Sequence, residues 1–573
     1  MSSFFCVIVL FGLIYAIVFA IGIWYNWSLW LMIGLTIGII LLQYWLGPYI
    51  INWIYNIEWI PYEDFQRYYP HLAKAVDKVV TVRGIKIPRI GIIPDKNPNA
   101  FTFGWTKNSA RIVITQGILE YLNKDEQEAV VAHELGHVVH NDFILMTIVF
   151  AIPLILLTIA RWCYYASRGF FQSSDEEGVS VAIAIALTII AALSYVAYYI
   201  SYLVSLIISR IREYYADEHA AELTENPNVL SSALVTIAYG LLMERNIHEN
   251  RSSRVRALKG LGIFDSRGAA AFTVSSTGGN GKYSKDAIQA AAAWDLFNPW
   301  AKYFQIFSTH PLPAKRIMRL NEQCEIYGIK PDIDFSYANK IKEEQAGKSM
   351  IPEFLTDITM IYLPILIFVA LIALTIVWIF TLAGLYDSSS GTMLDNMISN
   401  LLLFWAIGFY LIGFGVLVKV AFKYKSGFGP TKVVELVKYV KASPIRTVPA
   451  ILKGTIVGRG VPGYYFGEDM LLQDETGLIY VDYESLFPIF GNLIFAMRTI
   501  KKYIGTKVRV IGWYRRGPSP YFEIKMIESS SGRRNKNYRK QASYIWAIIA
   551  FIIGFFIFFL WIQITGFNLF MLF

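Results

Sequence analysis

The chain has 573 residues, enough for several domains, and 55% of them are hydrophobic against only 17% charged. With a positive mean hydropathy, that balance excludes an ordinary soluble globular protein and points to a membrane protein. The three cysteines, Cys6, Cys163 and Cys324, set up no disulfide framework, and the net charge of +9 calls for a membrane explanation before a nucleic-acid one.

Seven apolar runs are long enough to cross a bilayer, at about 4–24, 28–47, 143–160, 179–208, 359–384, 398–420 and 543–562. The first lacks a charged n-region and a small-residue cleavage site, so it reads as a retained anchor. It forms a hairpin with the second over Tyr25-Asn26-Trp27. Lys and Arg are distributed unevenly between the runs. The segment 48–142 carries ten, and 209–358 and 421–542 carry nearly all the rest. The loops near 25–27, 161–178 and 385–397 carry only Arg161 and Arg168, beside the acidic Asp175-Glu176-Glu177. By the positive-inside rule the N-terminus and the large segments are cytoplasmic and the C-terminus is outside, in a plasma-membrane protein.

The segment 48–142 reads as the first half of a soluble domain. A helix is expected at 63–82, strands at Arg89–Ile93 and Arg111–Thr115, and a turn into extended chain over Asn97–Gly104. A helix follows from Gly117 to Leu122, and then a longer one capped by Asn123 or Asp125. That helix contains His133-Glu134-Leu135-Gly136-His137. Spacing i, i+4 stacks the two histidines on one face, where they can grip one Zn²⁺ with Glu134 beside them as general base. The helix runs on into the third span without a clean stop. The fourth span continues unbroken to about residue 225, with no Gly or Pro in 179–225. Residues 209–350 complete the soluble domain, and 250–284, rich in Ser, Gly and Arg, is expected to be a mobile loop, either a lid or an inert insertion. After the span pair in 351–420, the segment 421–542 is a separate domain. Strands at about 449–458, 469–473, 478–483, 506–514 and 520–527, with a helix near 486–503, suggest an OB-type barrel. Such a barrel raises single-stranded nucleic acid, with Tyr464, Tyr465, Phe466, Arg515 and Arg516 as candidates. Its tethering between spans argues against this and favours an unidentified protein partner. The last span, in 543–573, closes the chain.

A catalytic zinc needs a third protein ligand. Six residues after His137 stands Phe143, His140 is badly placed on the same helix, and the third span has no carboxylate. Glu213, brought back by the helical hairpin, is the best candidate, with pairing to Arg210 or Arg212 as its alternative fate. Asp217, one turn on, can accept the spare N–H of a zinc-bound imidazole.

The residues Ala132–His137, then Arg212–Asp217, then Ser308-Thr309-His310-Pro311 with Arg316, resemble the HtpX-type membrane zinc metalloproteases, relatives of the CAAX prenyl-protein proteases. The resemblance spans about residues 1–325. It implies His133, His137 and Glu213 as ligands of one Zn²⁺, Glu134 as base, and His310 as transition-state stabiliser. It also implies Asn99, Ala100, Phe101, Thr102 and Phe103 as an edge strand for substrate, and Arg316 is expected to hold a carboxylate of the site. The expected fold is a mainly α polytopic membrane protein with a cytoplasmic α+β zincin-type protease domain and a small OB-like C-terminal barrel. Its boundaries are 1–47, 48–142, 143–208, 209–350, 351–420, 421–542 and 543–573. The expected activity is zinc-dependent cleavage of membrane proteins or peptides, misfolded ones above all, near the cytoplasmic membrane face. CAAX-type processing and a non-catalytic membrane scaffold are the alternatives.

Overall fold

The computed structural model describes residues 15–55, 57–172, 179–247, 285–346, 349–383, 391–459, 469–485 and 488–565. The loop 250–284, the acidic Asp175–Glu177, Tyr464–Phe466 and the start of the first apolar run lie outside these residues. The chain divides into two compact units, the first ending at Ala338 and the second holding Asn339 onward together with Phe297–Trp300.

Six helices of the described residues are long and apolar enough to cross a membrane. The first unit holds the apolar helix α1, described over Tyr15–Trp24, and the membrane-length α2 (Leu29–Ile54), α7 (Asp142–Gln172) and α8 (Val179–Thr224). The loop expected at 161–178 is shorter than its polarity suggested, because α7 continues to Gln172. Trp162 within that extension donates its indole N–H to the Trp27 carbonyl, 3.0 Å away, and so ties it to the first hairpin.

Between α2 and α7 lies a four-stranded sheet of β1 (Glu58–Ile60), β2 (Arg89–Ile93), β3 (Ala100–Phe103) and β4 (Arg111–Thr115), in the order β1-β2-β4-β3. β2 and β4 are parallel, and β3 runs antiparallel along β4 as the edge strand. Side chains alternate on β3 as a strand requires. Phe101 and Phe103 enter a core with Tyr55, Ile93 and Val113, leaving Ala100 and Thr102 for the other face. The single helix expected at 63–82 is two, α3 (Tyr62–Tyr68) and α4 (Pro70–Arg83), because Pro70 starts a new helix at its N1 position. α5 (Gln116–Tyr121) leads to α6 (Lys124–Val139), which Asn123 caps in a reciprocal box. Its side chain accepts from the Glu126 N–H at 2.9 Å, and Glu126 accepts from the Asn123 N–H at 3.0 Å.

Contrary to the sequence expectation, α6 does stop before the membrane. Asn141 adopts φ 56°, a left-handed conformation that asparagine tolerates, and α7 starts afresh at Asp142. By contrast α8 is one helix of 46 residues, as expected. The remaining described helices up to Ala346 are α9 (Pro227–Ile247) and α12 (Pro313–Ile326) in the first unit, and α10 (Lys285–Phe297), α11 (Pro299–Ile306) and α13 (Ser336–Ala346), whose residues are divided between the two units.

The second unit contains the membrane-length α14 (Ile351–Ala383), α15 (Gly391–Lys423) and α18 (Arg539–Thr565). Between α15 and α18 the chain passes through β5 (Gly429–Pro430), α16 (Val433–Val437), β6 (Val448–Arg459), β7 (Met470–Gln473), β8 (Leu478–Asp482), α17 (Pro488–Ile494), β9 (Lys507–Arg516), β10 (Pro520–Ser529) and β11 (Arg534–Lys536). Five of these strands close on themselves in the order β6-β7-β8-β10-β9-β6, with β8 and β10 parallel and every other pair antiparallel. This is a five-stranded barrel with its helix between the third and fourth strands, the order expected of an OB-type barrel. One expectation is corrected. Arg515 and Arg516 are 2% and 1% exposed, so they offer nothing to a nucleic acid. Arg515 instead pairs with Glu523 on β10, 2.5 Å away.

The barrel is fixed to its own spans. Trp513 donates to the Lys425 carbonyl at 2.7 Å and packs on Tyr424 at 4.8 Å, while Thr447 bonds the Lys423 carbonyl at 2.7 Å. Arg539, at the start of α18, pairs with Asp482 and Glu484. Removing one partner of a buried ion pair leaves a charge uncompensated and costs about 3–5 kcal/mol, whereas apolar replacement of both partners is often neutral. Glu523→Ala should therefore lower the barrel's unfolding transition sharply, followed by tryptophan fluorescence, and Arg515→Met combined with Glu523→Leu should restore most of it.

Candidate metal centre and active site

The site forms where α6 crosses α8. Gly136 lies at the crossing: a Cβ there would come to 3.0 Å from the Ala216 Cα, tighter than ordinary contacts, so a larger residue would require the helices to part by a few tenths of an ångström. The approach brings Glu213 against both histidines of α6. His133 Nε2 is 3.7 Å from Glu213 Oε2, and His137 Nε2 is 3.9 Å from Glu213 Oε1. One donor atom from each of the three lies within 4.8 Å of the others, which makes a group able to hold a metal ion. Tetrahedral zinc with bonds of about 2.1 Å sets its donors roughly 3.4 Å apart, close to these separations. A second observation fits a cation. His133 Nε2 and Glu213 Oε2 are buried without a hydrogen-bond partner, and such orphaned groups are costly unless something coordinates them. Arg210 and Arg212, the alternative partners of Glu213, are committed elsewhere.

A frame of charged groups holds these donors from behind. His133 Nδ1 faces Asp217 Oδ1 at 3.0 Å. Asp217 in turn takes two hydrogen bonds from the fully buried Arg316 of α12, at 2.8 and 2.5 Å. Arg316 also lies 3.5 Å from Glu213 Oε2, beside both carboxylates. His137 Nδ1 pairs with Asp142 at 2.6 Å, and Arg212 Nε donates to the same Asp142 at 2.5 Å. His310 Nε2 stands 3.4 Å from Glu213 Oε1, beside the donor cluster. Its loop is held by α8: Arg210 donates to the carbonyls of Gln305 and Ser308 at 2.7 Å each, and Ser209 to that of Thr309 at 2.9 Å.

Glu134 is 3% exposed and accepts a 2.6 Å hydrogen bond at Oε2 from the Thr102 hydroxyl. Thr102 thus places β3 directly over the α6 motif. Asn99 lies just before that strand, its backbone N–H bonded to Thr115 at 2.8 Å. The side chains of Ala100, Phe101 and Phe103 are buried.

Sequence reasoning missed Asp142, Arg212 and Arg210 as site residues, and His219, whose Nδ1 lies 3.0 Å from the Ala132 carbonyl. Asp142 is five residues from His137 and would point away on a continuous helix. The Asn-Asp pair at 141–142 was the available signal, since asparagine favours the left-handed turn that swings Asp142 round. Nothing in the local sequence marks Arg210 as the anchor of a loop a hundred residues away.

Residues 68–324 match peptidase family M48. The chain is 36% identical over 263 residues to a protease HtpX homolog of Methanothermobacter thermautotrophicus, covering 46% of this chain and 93% of that one. It is 28% identical over 323 residues to the homolog of Methanocaldococcus jannaschii, covering 56% and 95%. The crystal structure of S. mikatae Ste24p aligns with a TM-score of 0.33 and 19% identity, over 56% of this chain and 64% of that one.

Burial alone would lower the His137 pKa, but the Asp142 hydrogen bond and the carboxylates of Glu213 and Glu134 outweigh it and raise the group from 6.5 to about 9. The sign follows from linkage. The extra proton stabilises the metal-free fold below pH 6.5, and that contribution fades as pH rises through about 9. A metal at Nε2 must displace this proton. At neutral pH, metal uptake should release one proton per site, and apparent affinity should rise about tenfold per pH unit until it levels near pH 9. Calorimetry in buffers of different ionisation enthalpy measures the proton directly, and His137→Ala should abolish it.

Proposed function

We propose that this chain, which belongs to peptidase family M48 among its HtpX-type proteases, is a zinc-dependent endopeptidase acting on membrane proteins close to the membrane surface. Its peptidase domain is assembled from 48–142 and 209–350, with the hairpin 143–208 between them. One observation carries the reading: His133, His137 and Glu213 each bring a donor atom within 4.8 Å of the others, His133 Nε2 and Glu213 Oε2 being buried without a hydrogen bond, with Glu134 on the same helix turn. Bound there, zinc supplies Lewis acidity, making a water acidic and polarising a carbonyl.

The chain's own groups do the rest. Thr102 holds Oε2 of Glu134, which leaves Oε1 to take the proton of the attacking water and deliver it to the leaving amine. His310 Nε2 donates to the oxyanion that develops on the carbonyl carbon's oxygen. Asp217 and Asp142 fix the ring orientations of His133 and His137, and Arg316 keeps Asp217 ionised. The open edge of β3 pairs with an extended substrate backbone, which gives loose sequence specificity and suits unfolded segments. Quality control of misfolded membrane proteins follows from that looseness.

The surface location rests on α8. Glu213 lies five residues beyond the apolar run ending at Ile208, about 8 Å along one unbroken helix at 1.5 Å per residue. The distribution of Lys and Arg supports a cytoplasmic site and barrel, with the C-terminus outside.

Glu134→Gln should bind zinc and fold normally yet lose several orders of magnitude in peptidase rate, because the proton carrier is gone. Glu213→Ala should lose the metal, read as zinc per chain by elemental analysis. Full activity in the first variant, or one zinc per chain in the second, would falsify the assignment of roles. For location, a substrate with one span and a disordered tail should be cut within a few tens of residues of the span, and chelator should stop it. Equal cutting of the same tail free in solution would refute the membrane-proximal reading.

A further inference from the structure

The second unit holds a cavity of about 490 Å3 that the peptidase mechanism does not use. Small-molecule sites fall in this size range. Its apolar wall comes from Ile511 and Trp513 on β9, Met526 on β10 and Tyr544 on α18, and its basic residues are Lys525, Lys536 and Lys540. Among the described residues none of the three lysines has a carboxylate at ion-pair distance. Lys525 and Lys540 have aromatic neighbours instead, Phe428 at 4.6 Å and Tyr424 at 5.8 Å. Glu523 also lines the space, but it is 1% exposed and its charge is already answered by Arg515 at 2.5 Å. The cavity therefore combines uncompensated positive charge with an apolar shoulder.

Its position gives the ligand's source. Lys540 and Tyr544 belong to the first turns of α18, a membrane-length helix. Trp513 is tied by its indole N–H to the Lys425 carbonyl, two residues past the end of α15. The cavity thus lies level with the point where two spans leave the bilayer, at headgroup depth. We propose that it binds the phosphate of an anionic membrane phospholipid, the three lysines holding the phosphate and the apolar wall packing the glycerol and the first methylenes. Basic pockets beside spans take such headgroups by this combination of charge and depth. The proposal is independent of the peptidase reading.

The test uses the purified full chain in neutral detergent. Phosphatidylglycerol, phosphatidylcholine or inorganic phosphate is added, and native mass spectrometry counts what each chain retains. One phosphatidylglycerol per chain is expected, in clear preference to phosphatidylcholine, and millimolar inorganic phosphate should not displace it. The combined Lys525→Gln, Lys536→Gln and Lys540→Gln variant should bind about 100-fold more weakly, at roughly fivefold per lysine. Arginine at the same three positions should restore binding, which separates loss of charge from loss of fold. Glutamine at Lys453, Lys501 and Lys507, elsewhere on the unit, should change nothing. Undiminished retention by the glutamine variant overturns the proposal. So does equal retention of the two lipids, and displacement by inorganic phosphate would make the site one for the free ion.

Discussion

The closeness of α6 and α8 at Gly136 is the constraint on which the site depends. The two histidines belong to a helix packed on the sheet, and the carboxylate belongs to a helix rising from the membrane. A Cβ at residue 136 would sit 3.0 Å from the Ala216 Cα, so α8, which carries Glu213, would have to give by a few tenths of an ångström. Interiors are packed too tightly to absorb such a displacement locally. The glycine inside the motif therefore matters as much for packing as its neighbours do for chemistry. The Asp217–Arg316 pair then locks α12 onto the same crossing. Both of its members are almost fully buried, an arrangement that is unfavourable unless every partner is in place.

Much of this was readable in the chain. Local rules sufficed wherever a single period or cap decided the outcome: the spacing of His133 and His137, a helix cap at Asn123 or Asp125, the unbroken 179–225 stretch and the five alternating strands of the barrel. Glu213 was reachable because a membrane hairpin returns the chain near its starting point, a geometric rule that needs no side-chain detail. The failures share a different cause. The two-residue strand β5 and the short β1 and β11 carry too few residues for a period to emerge. The end of α6 depends on one dihedral at Asn141, and the length of α7 on its packing against the first hairpin. Arg515 and Arg516 looked like surface charge because nothing local announces that Glu523 will lie opposite once β9 and β10 pair.

The second unit adds a different kind of membrane contact. Its barrel is held to its spans by hydrogen bonds to the backbone at Lys423 and Lys425 and by the charged cluster around Arg539. These bonds come from both ends of the inserted segment, so the barrel is clamped to the point where α15 ends and α18 begins. A domain held in that way cannot swing freely on its linkers. It is held close to the ends of α15 and α18.

The length of α8 has one further effect. A single rigid rod carries the membrane's constraint at one end and Glu213 and Asp217 at the other, and through Arg210 and Ser209 it also carries the His310 loop. The two histidines sit on α6, which packs against this same rod and against β3. A helix tilts to match the hydrocarbon thickness around it, and Glu213, one of the three donor residues, rides on this rod. One helix thus joins a membrane-length apolar stretch to a buried carboxylate and to the loop that carries His310.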